Sequence, residues 1–221
     1  MRPSLTLRGC SVKPPQPGEI VTKHLIEGLK RFRAERFPQF REHYERLVAE
    51  GQKPGALFIG CSDSRVVPDT LMGTRPGELF IVRNVGNFVP PYEMDSSYHG
   101  VSAGIEFAVM VLGVRDIIVC GHSHCGAVRA LYNPPDPATP HINRWLQLGM
   151  DARVDGDVSE DMLRRTEQRS VLLQLSRLMS FEVVRERVQA GTIALHAWHY
   201  IIESGTVLIA DLQTGEFSPA G

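Results

Sequence analysis

"ALFIGCSDSR", residues 56 to 65, passes from an apolar run into a polar one. A short apolar run bounded by glycine and polar residues reads as a strand buried within a sheet. At and beyond its end, Cys61, Asp63 and Arg65 stand at alternate positions. Alternate residues of an extended segment point to one side. The stretch therefore aims a thiol, a carboxylate and a guanidinium at one place, where a buried strand ends.

Outward from this stretch, strand signals alternate with helical ones. "LFIVRN" (79–84) follows the turn-like "RPGE", and "DIIVCGH" (116–122) is a third apolar strand. Between them Val101, Ile105, Ala108, Val109 and Leu112 line one face of a helix that ends near Gly113. "CGAVRALY" starts a helix, "PPDPATP" is a loop and "INRWLQLG" is a short helix. Residues 158–190 read as helical, with a break near Ser180 and a stop at Gly191. "TIALHAWHYI" and "TVLIADLQ", joined by "ESG", read as a closing hairpin. This alternation predicts an α/β fold: a mainly parallel sheet flanked by helices, with an antiparallel edge strand.

Ahead of that core lies an N-terminal helical arm in two pieces. Leu25, Leu29 and Phe32, then Phe40, Tyr44, Leu47 and Val48, fall at helical spacing, with Pro38 between the pieces. Pro14, Pro15, Pro17 and Gly18 mark an extended lead-in. The expected organisation is one domain over 1–221, with a lead-in at 1–19, the arm at 20–51 and the α/β core at 52–215.

Composition narrows the class. The chain has 221 residues, 43% apolar and 22% charged, as in ordinary globular proteins. A net charge of −1 sets up no general attraction to nucleic acid or anionic membrane, so neither is an expected partner. No apolar run approaches the roughly 20 residues of a membrane span. The N-terminus lacks the apolar region of a complete signal peptide, although a trimmed targeting segment is not excluded. Cys10, Cys61, Cys120 and Cys125 are too few for a disulfide framework. They point to a reducing, cytoplasmic setting with thiols free for metal or chemistry.

"VCGHSHCGAV" (119–128) is the second informative stretch, again where a strand gives way to a helix. His122 and Cys125 are three positions apart, so a first helical turn can bring them to one side. Cys125 falls near a helix N-terminus, where the dipole favours thiolate. Both clusters lie at carboxyl ends of parallel strands, where open α/β sheets place their sites. Two thiolates and an imidazole suit zinc, and three protein ligands leave a fourth position for water. Asp63 either closes the site as a fourth ligand in an inactive state or is drawn off the metal by Arg65. Cys120 points the other way along its strand and reads as core.

At these residues the chain resembles the beta-class carbonic anhydrases. The family's C-x-D-x-R motif stands here as Cys61, Asp63 and Arg65, and its H-x-x-C motif as His122 and Cys125. The intervening "PGELFIVRNVGNFVPPY" (76–92) also looks like family sequence, and the likeness runs over about residues 20 to 212. The resemblance implies a twisted, mainly parallel sheet and a homodimer or dimer of dimers whose helical arm embraces the neighbour. It implies one Zn2+ per chain on Cys61, His122 and Cys125, and a catalytic Asp63–Arg65 dyad. Gln52, Phe80 and Phe107 match family positions lining the carbon dioxide pocket, partly supplied by the adjacent subunit. The Gly126 amide matches a donor to bound anions, and His124 falls at a variable position that is not a ligand.

The implied activity is zinc-dependent reversible hydration of carbon dioxide to bicarbonate and a proton by zinc-bound hydroxide. The alternatives are a carbon disulfide or carbonyl sulfide hydrolase on the same scaffold, or a non-catalytic zinc-stabilised scaffold. Some family members carry a second, regulatory bicarbonate site of tryptophan, arginine and tyrosine. Arg83 and Tyr200 match it, but Phe58 stands for the tryptophan and lacks the indole N–H. Strong bicarbonate inhibition at that site is therefore not expected.

Overall fold

Strands β1 (Ala56–Cys61), β2 (Leu79–Asn84), β3 (Asp116–His122) and β4 (Ala194–Ile201) pair in parallel, and β5 (Thr206–Ala210) and β6 (Phe217–Pro219) continue the same sheet antiparallel. The spatial order is β2-β1-β3-β4-β5-β6. This computed structural model describes residues 21–94 and 99–220. The lead-in expected at 1–19, and Cys10 within it, lie outside the described residues. The chain divides into two units, Met1–Gly51 and Gln52–Gly221, at the junction expected between arm and core.

The expected parallel sheet with an antiparallel edge is what forms; two of the apolar runs, β1 and β3, are central strands, and the third, β2, lies at the parallel edge. From Leu57 to Cys61 and from Ile117 to His122 every residue is buried. That continuous burial follows from covering both faces of the sheet. Leu57, Ile59, Ile117 and Val119 enter the main core, opposite Ile105 and Val109 of α4 (Gly100–Glu106) and the π-helical turn that extends it, Phe107–Leu112. Val171, Leu175 and Leu178 of α7 (Glu160–Leu178) complete this core with Phe181 and Val184 of the α8 (Glu182–Gln189) region. On the other face Phe58, Ile118 and Cys120 pack with Met72, Trp198 and Tyr200. Neighbouring residues of one strand thus serve opposite cores, as a period of two requires.

Helix ends follow local chemistry. Ser159 caps α7 by accepting from the Met162 amide at 3.1 Å, which satisfies one of the orphan donors of the first turn. The break expected near Ser180 separates α7 from α8. Short helices α3 (Pro68–Met72), α5 (Gly126–Ala130) and α6 (Pro140–Leu146) fill the connections. Two elements differ from the sequence reading. Strand β6 lies beyond the expected core boundary at 215; it is three residues long and ends on Pro219, features that suit a sheet edge.

The second difference is in the arm. α1 (Val21–Arg31) and α2 (Phe37–Glu50) are joined by a π-helical turn, Phe32–Arg36, with no loop between them. The Phe37 amide bonds back to the Phe32 carbonyl. Pro38 is not the separator: it sits in the first turn of α2. Its ring crowds the carbonyl four residues back, and widening the preceding turn relieves this without ending the helix.

Phe181 is fully buried and meets Tyr92 edge-on, with ring centroids 5.4 Å apart. Phe181→Ala should cost about 3–5 kcal/mol, read as a lower urea midpoint at unchanged m-value.

Candidate metal centre

The parallel register sets the site. Gly60 of β1 lies beside Cys120 of β3, so Cys61 and His122 emerge at neighbouring strand ends. The chain then turns into α5, and Cys125 sits at that helix's N-cap. The Cys61 and Cys125 sulfurs and a His122 ring nitrogen all lie within 4.8 Å of one another, and all three residues are buried. Asp63 is not part of this compact set.

Each ligand candidate is oriented from outside. His122 Nδ1 meets the Ser123 carbonyl at 2.9 Å and so carries the proton. Its Nε2 is then a bare lone pair, buried and without a hydrogen-bond partner among the described residues. Cys61 Sγ accepts from the amides of Asp63 and Gly86, each at 3.4 Å. Two sulfurs this close share one proton when no cation is present. The hydrogen bond from Cys125 holds the Cys61 thiol well below its usual range, against the opposing effect of burial. The Cys125 thiol is pushed up, first by Cys61 and then by burial. An orphaned imidazole lone pair and a buried thiolate are what a soft divalent cation satisfies. The three residues fit a metal ion.

Asp63 and Arg65 are locked to each other. Arg65 Nε donates to Asp63 Oδ1 at 2.9 Å, Nη2 donates to Oδ2 at 2.7 Å, and the Arg65 amide adds a bond to Oδ1 at 3.0 Å. The guanidinium holds the Asp63 carboxyl well below the usual carboxylate range, outweighing burial. A depressed acid is charged at every pH above its unfolded value near ~3.9, and loses the charge only below that. Asp63 Oδ2 stands 3.9 Å from His122 Nε2, at the edge of the cluster. Arg65 Nη2 also donates to the His124 carbonyl at 3.1 Å, tying the two motifs together.

A model of the carbonic anhydrase family matches residues 56–207. A carbonic anhydrase of Pseudomonas aeruginosa is 40% identical over 201 residues, covering 88% of this chain and 90% of that one. The solved beta-carbonic anhydrase CcaA superposes with a TM-score of 0.80 at 36% identity, covering 90% of this chain and 92% of that one. The chain belongs to the beta class of carbonic anhydrases. A solved chain from one of two tetrameric beta-carbonic anhydrases of Sordaria macrospora is also similar, with a TM-score of 0.74 at 26% identity over 85% of this chain and 95% of that one.

The remaining residues implied by the beta-class resemblance do not all meet at this cluster. Gly126 does: it is the first residue of α5, directly after Cys125. Phe80 stacks on Phe107, with ring centroids 5.7 Å apart. Phe80 pairs with Leu57, however, while Cys61 pairs with Asn84. Four residues of strand, roughly 13 Å, separate Phe80 from the cluster. Gln52 is exposed and precedes the opposite end of β1. Within one chain, these pocket residues lie at the far end of the strands from their own metal ligands.

Gly86, Glu167 and His199 are not among the residues the sequence points to. Glu167 accepts from the Cys125 amide at 3.0 Å, and His199 Nε2 faces Glu167 at 3.2 Å. Neither belongs to a motif, and both come from elements distant in the chain. Gly86 carries a readable signal, a glycine two residues beyond a strand in "RNVGN". Its φ is 80°, and a Cβ there would stand 2.8 Å from Phe88 and 2.9 Å from Ala127. The Asn84 side chain fixes this turn by bonding both the amide and the carbonyl of Phe88. Gly86→Ala should cost more than about 1 kcal/mol, since a left-handed backbone alone costs an L-residue about that much. The loss should appear as a lower thermal midpoint.

Proposed function

We propose that this chain catalyses the reversible hydration of carbon dioxide to bicarbonate and a proton, with one Zn2+ per chain held by Cys61, His122 and Cys125. The observation that carries the reading is the buried Cys–His–Cys set beside a carboxylate already occupied by a guanidinium. When bound, zinc supplies a Lewis acid that makes water a nucleophile near neutral pH. Family membership supports the reaction, and the donor set supports the metal.

Asp63 acts as a hydrogen-bond acceptor in this reading. Both its oxygens are taken by Arg65, and Oδ2 keeps a lone pair on the cluster side. It accepts the proton-bearing side of the attacking water and so turns an oxygen lone pair toward carbon. Arg65 keeps Asp63 charged and away from the metal position. A non-catalytic scaffold gives that dyad no work. The Gly126 amide holds a developing oxyanion, and Phe80 and Phe107 offer an apolar wall to a substrate without charge or dipole.

We infer a homo-oligomer, because Gln52, Phe80 and Phe107 lie far from the metal ligands of their own chain and serve a neighbour's site. The arm supports this: Leu25 and Leu29, on one stripe, are 56% and 67% exposed. The neighbouring tetramers of Sordaria macrospora point the same way. We place the chain in the cytoplasm on the strength of Cys61, Cys120 and Cys125, which are all free. Among the described residues no helix is long and apolar enough to cross a membrane.

Metal analysis should find about one zinc per chain, and stopped-flow assay should find rapid carbon dioxide hydration. Asp63→Asn should keep zinc and lose about 10–100-fold in rate; a variant as fast as wild type would remove Asp63 from the mechanism. Carbon disulfide offered in parallel should be a poor substrate, and preference for it would favour the hydrolase alternative.

Phe58 is fully buried against Trp198 and Tyr200, and Arg83 is spent on the carbonyls of Cys61 and Asp63 at 3.0 and 2.8 Å. Bicarbonate should therefore inhibit only as a simple product. Sigmoidal inhibition curves would contradict this.

A further inference from the structure

Two buried titratable residues have no part in the reaction just described. Glu167 on α7 is 4% exposed and His199 on β4 is fully buried. Glu167 Oε1 accepts from the Cys125 amide at 3.0 Å. Its Oε2 lies 3.2 Å from His199 Nε2 and 3.6 Å from Arg164 Nε. His199 Nδ1 is buried with no hydrogen-bond partner among the described residues. The ring proton therefore belongs on Nε2, where Glu167 accepts it, because an unpaired buried N–H costs more than an unused lone pair. Glu167 is then an acceptor on both oxygens, clamped from one side by the histidine and committed on the other to the backbone of a metal-ligand residue.

The fold makes room for this arrangement. Gly121 lies on β3 directly before His122, and a Cβ there would stand 2.5 Å from Val171 Cγ2 and 3.7 Å from the Glu167 carbonyl. The missing side chain lets α7 lie close enough to the strand for Glu167, one turn before Val171, to reach Cys125. The turn it reaches is strained, since His124 is a non-glycine residue at φ 57°. That conformation persists because its neighbours are held: Arg65 takes the His124 carbonyl, and Glu167 takes the next amide.

We propose that Glu167, oriented by His199, is a positioning residue of the metal centre. It holds the Cys125 amide, and through it the Cys125 sulfur, in the geometry that receives the ion. This rests on the metal reading above. Outer partners of metal ligands act in this way by fixing the orientation of the donors. A purely structural role would lower stability and leave the behaviour of the bound ion unchanged.

The test compares the full-length wild type with Glu167→Gln, each loaded with zinc and then mixed with excess chromophoric chelator. Glutamine keeps the size and an acceptor for Cys125, but turns an N–H group toward His199. The variant should release zinc about 10–100-fold faster, and its cobalt-substituted form should show shifted thiolate-to-cobalt absorption bands. Release at the wild-type rate with an unchanged cobalt spectrum overturns the inference. If Glu167→Gln does not fold, His199→Leu carries the same test: faster release sustains the inference and wild-type release overturns it. A wild type that takes up no zinc overturns the metal reading and this inference with it. A wild type that binds zinc beside indistinguishable variants overturns this inference alone.

Discussion

Two sulfur atoms and an imidazole nitrogen buried within 4.8 Å of one another make an unstable set by themselves. The thiols contend for one proton, and the His122 lone pair has no hydrogen-bond partner among the described residues. Much of the surrounding structure holds this set together. The parallel register of β1 and β3 brings Cys61 to His122. The Gly86 turn gives Cys61 an amide, and the α7 carboxylate holds the backbone of Cys125. Burial that costs free energy in the absence of a cation becomes, with one, a preformed site whose ligands need little reorganisation.

The Asp63–Arg65 pair supplies the second constraint. A carboxylate next to a cation site tends to become a ligand. Here the two carboxylate oxygens and the guanidinium match as fork to fork, and Arg65 reaches on to the His124 carbonyl. One side chain therefore sets the charge of Asp63, its distance from the metal position and the conformation of the second motif. A lysine at 65 could supply the charge but not the two parallel bonds.

The fold was legible because its central strands β1 and β3 are buried on both faces. Such strands need apolar runs without alternation, and "ALFIGC" and "DIIVCGH" begin and end where β1 and β3 do, as "LFIVRN" does with the half-buried β2. Helix stops at Gly113 and Gly191 were legible for the reason that both adopt positive φ. The three-residue β6 was not, because its pairing with β5 comes from the sheet edge and not from its own pattern. The break in the arm was expected at Pro38, but the irregular turn lies before it at Phe32–Arg36, because proline acts on the turn that precedes it.

Residue type and local spacing by themselves determined the chemistry of the site: a thiol, a carboxylate and a guanidinium at alternate positions, and a histidine three residues before a cysteine. These relations lie within one strand end or one turn, where backbone geometry leaves few alternatives. Only the tertiary structure decided the rest. It turned Asp63 to Arg65, made Gly86 a donor to Cys61, and placed Glu167 and His199 behind Cys125. It also set Gln52 and Phe80 at the opposite strand ends from their own metal ligands. Apart from the Asp63–Arg65 pair, whose orientation no spacing fixes, the side-chain and amide contacts join residues tens of positions apart, and they exist only once the sheet register and the close approach of α7 bring their elements together.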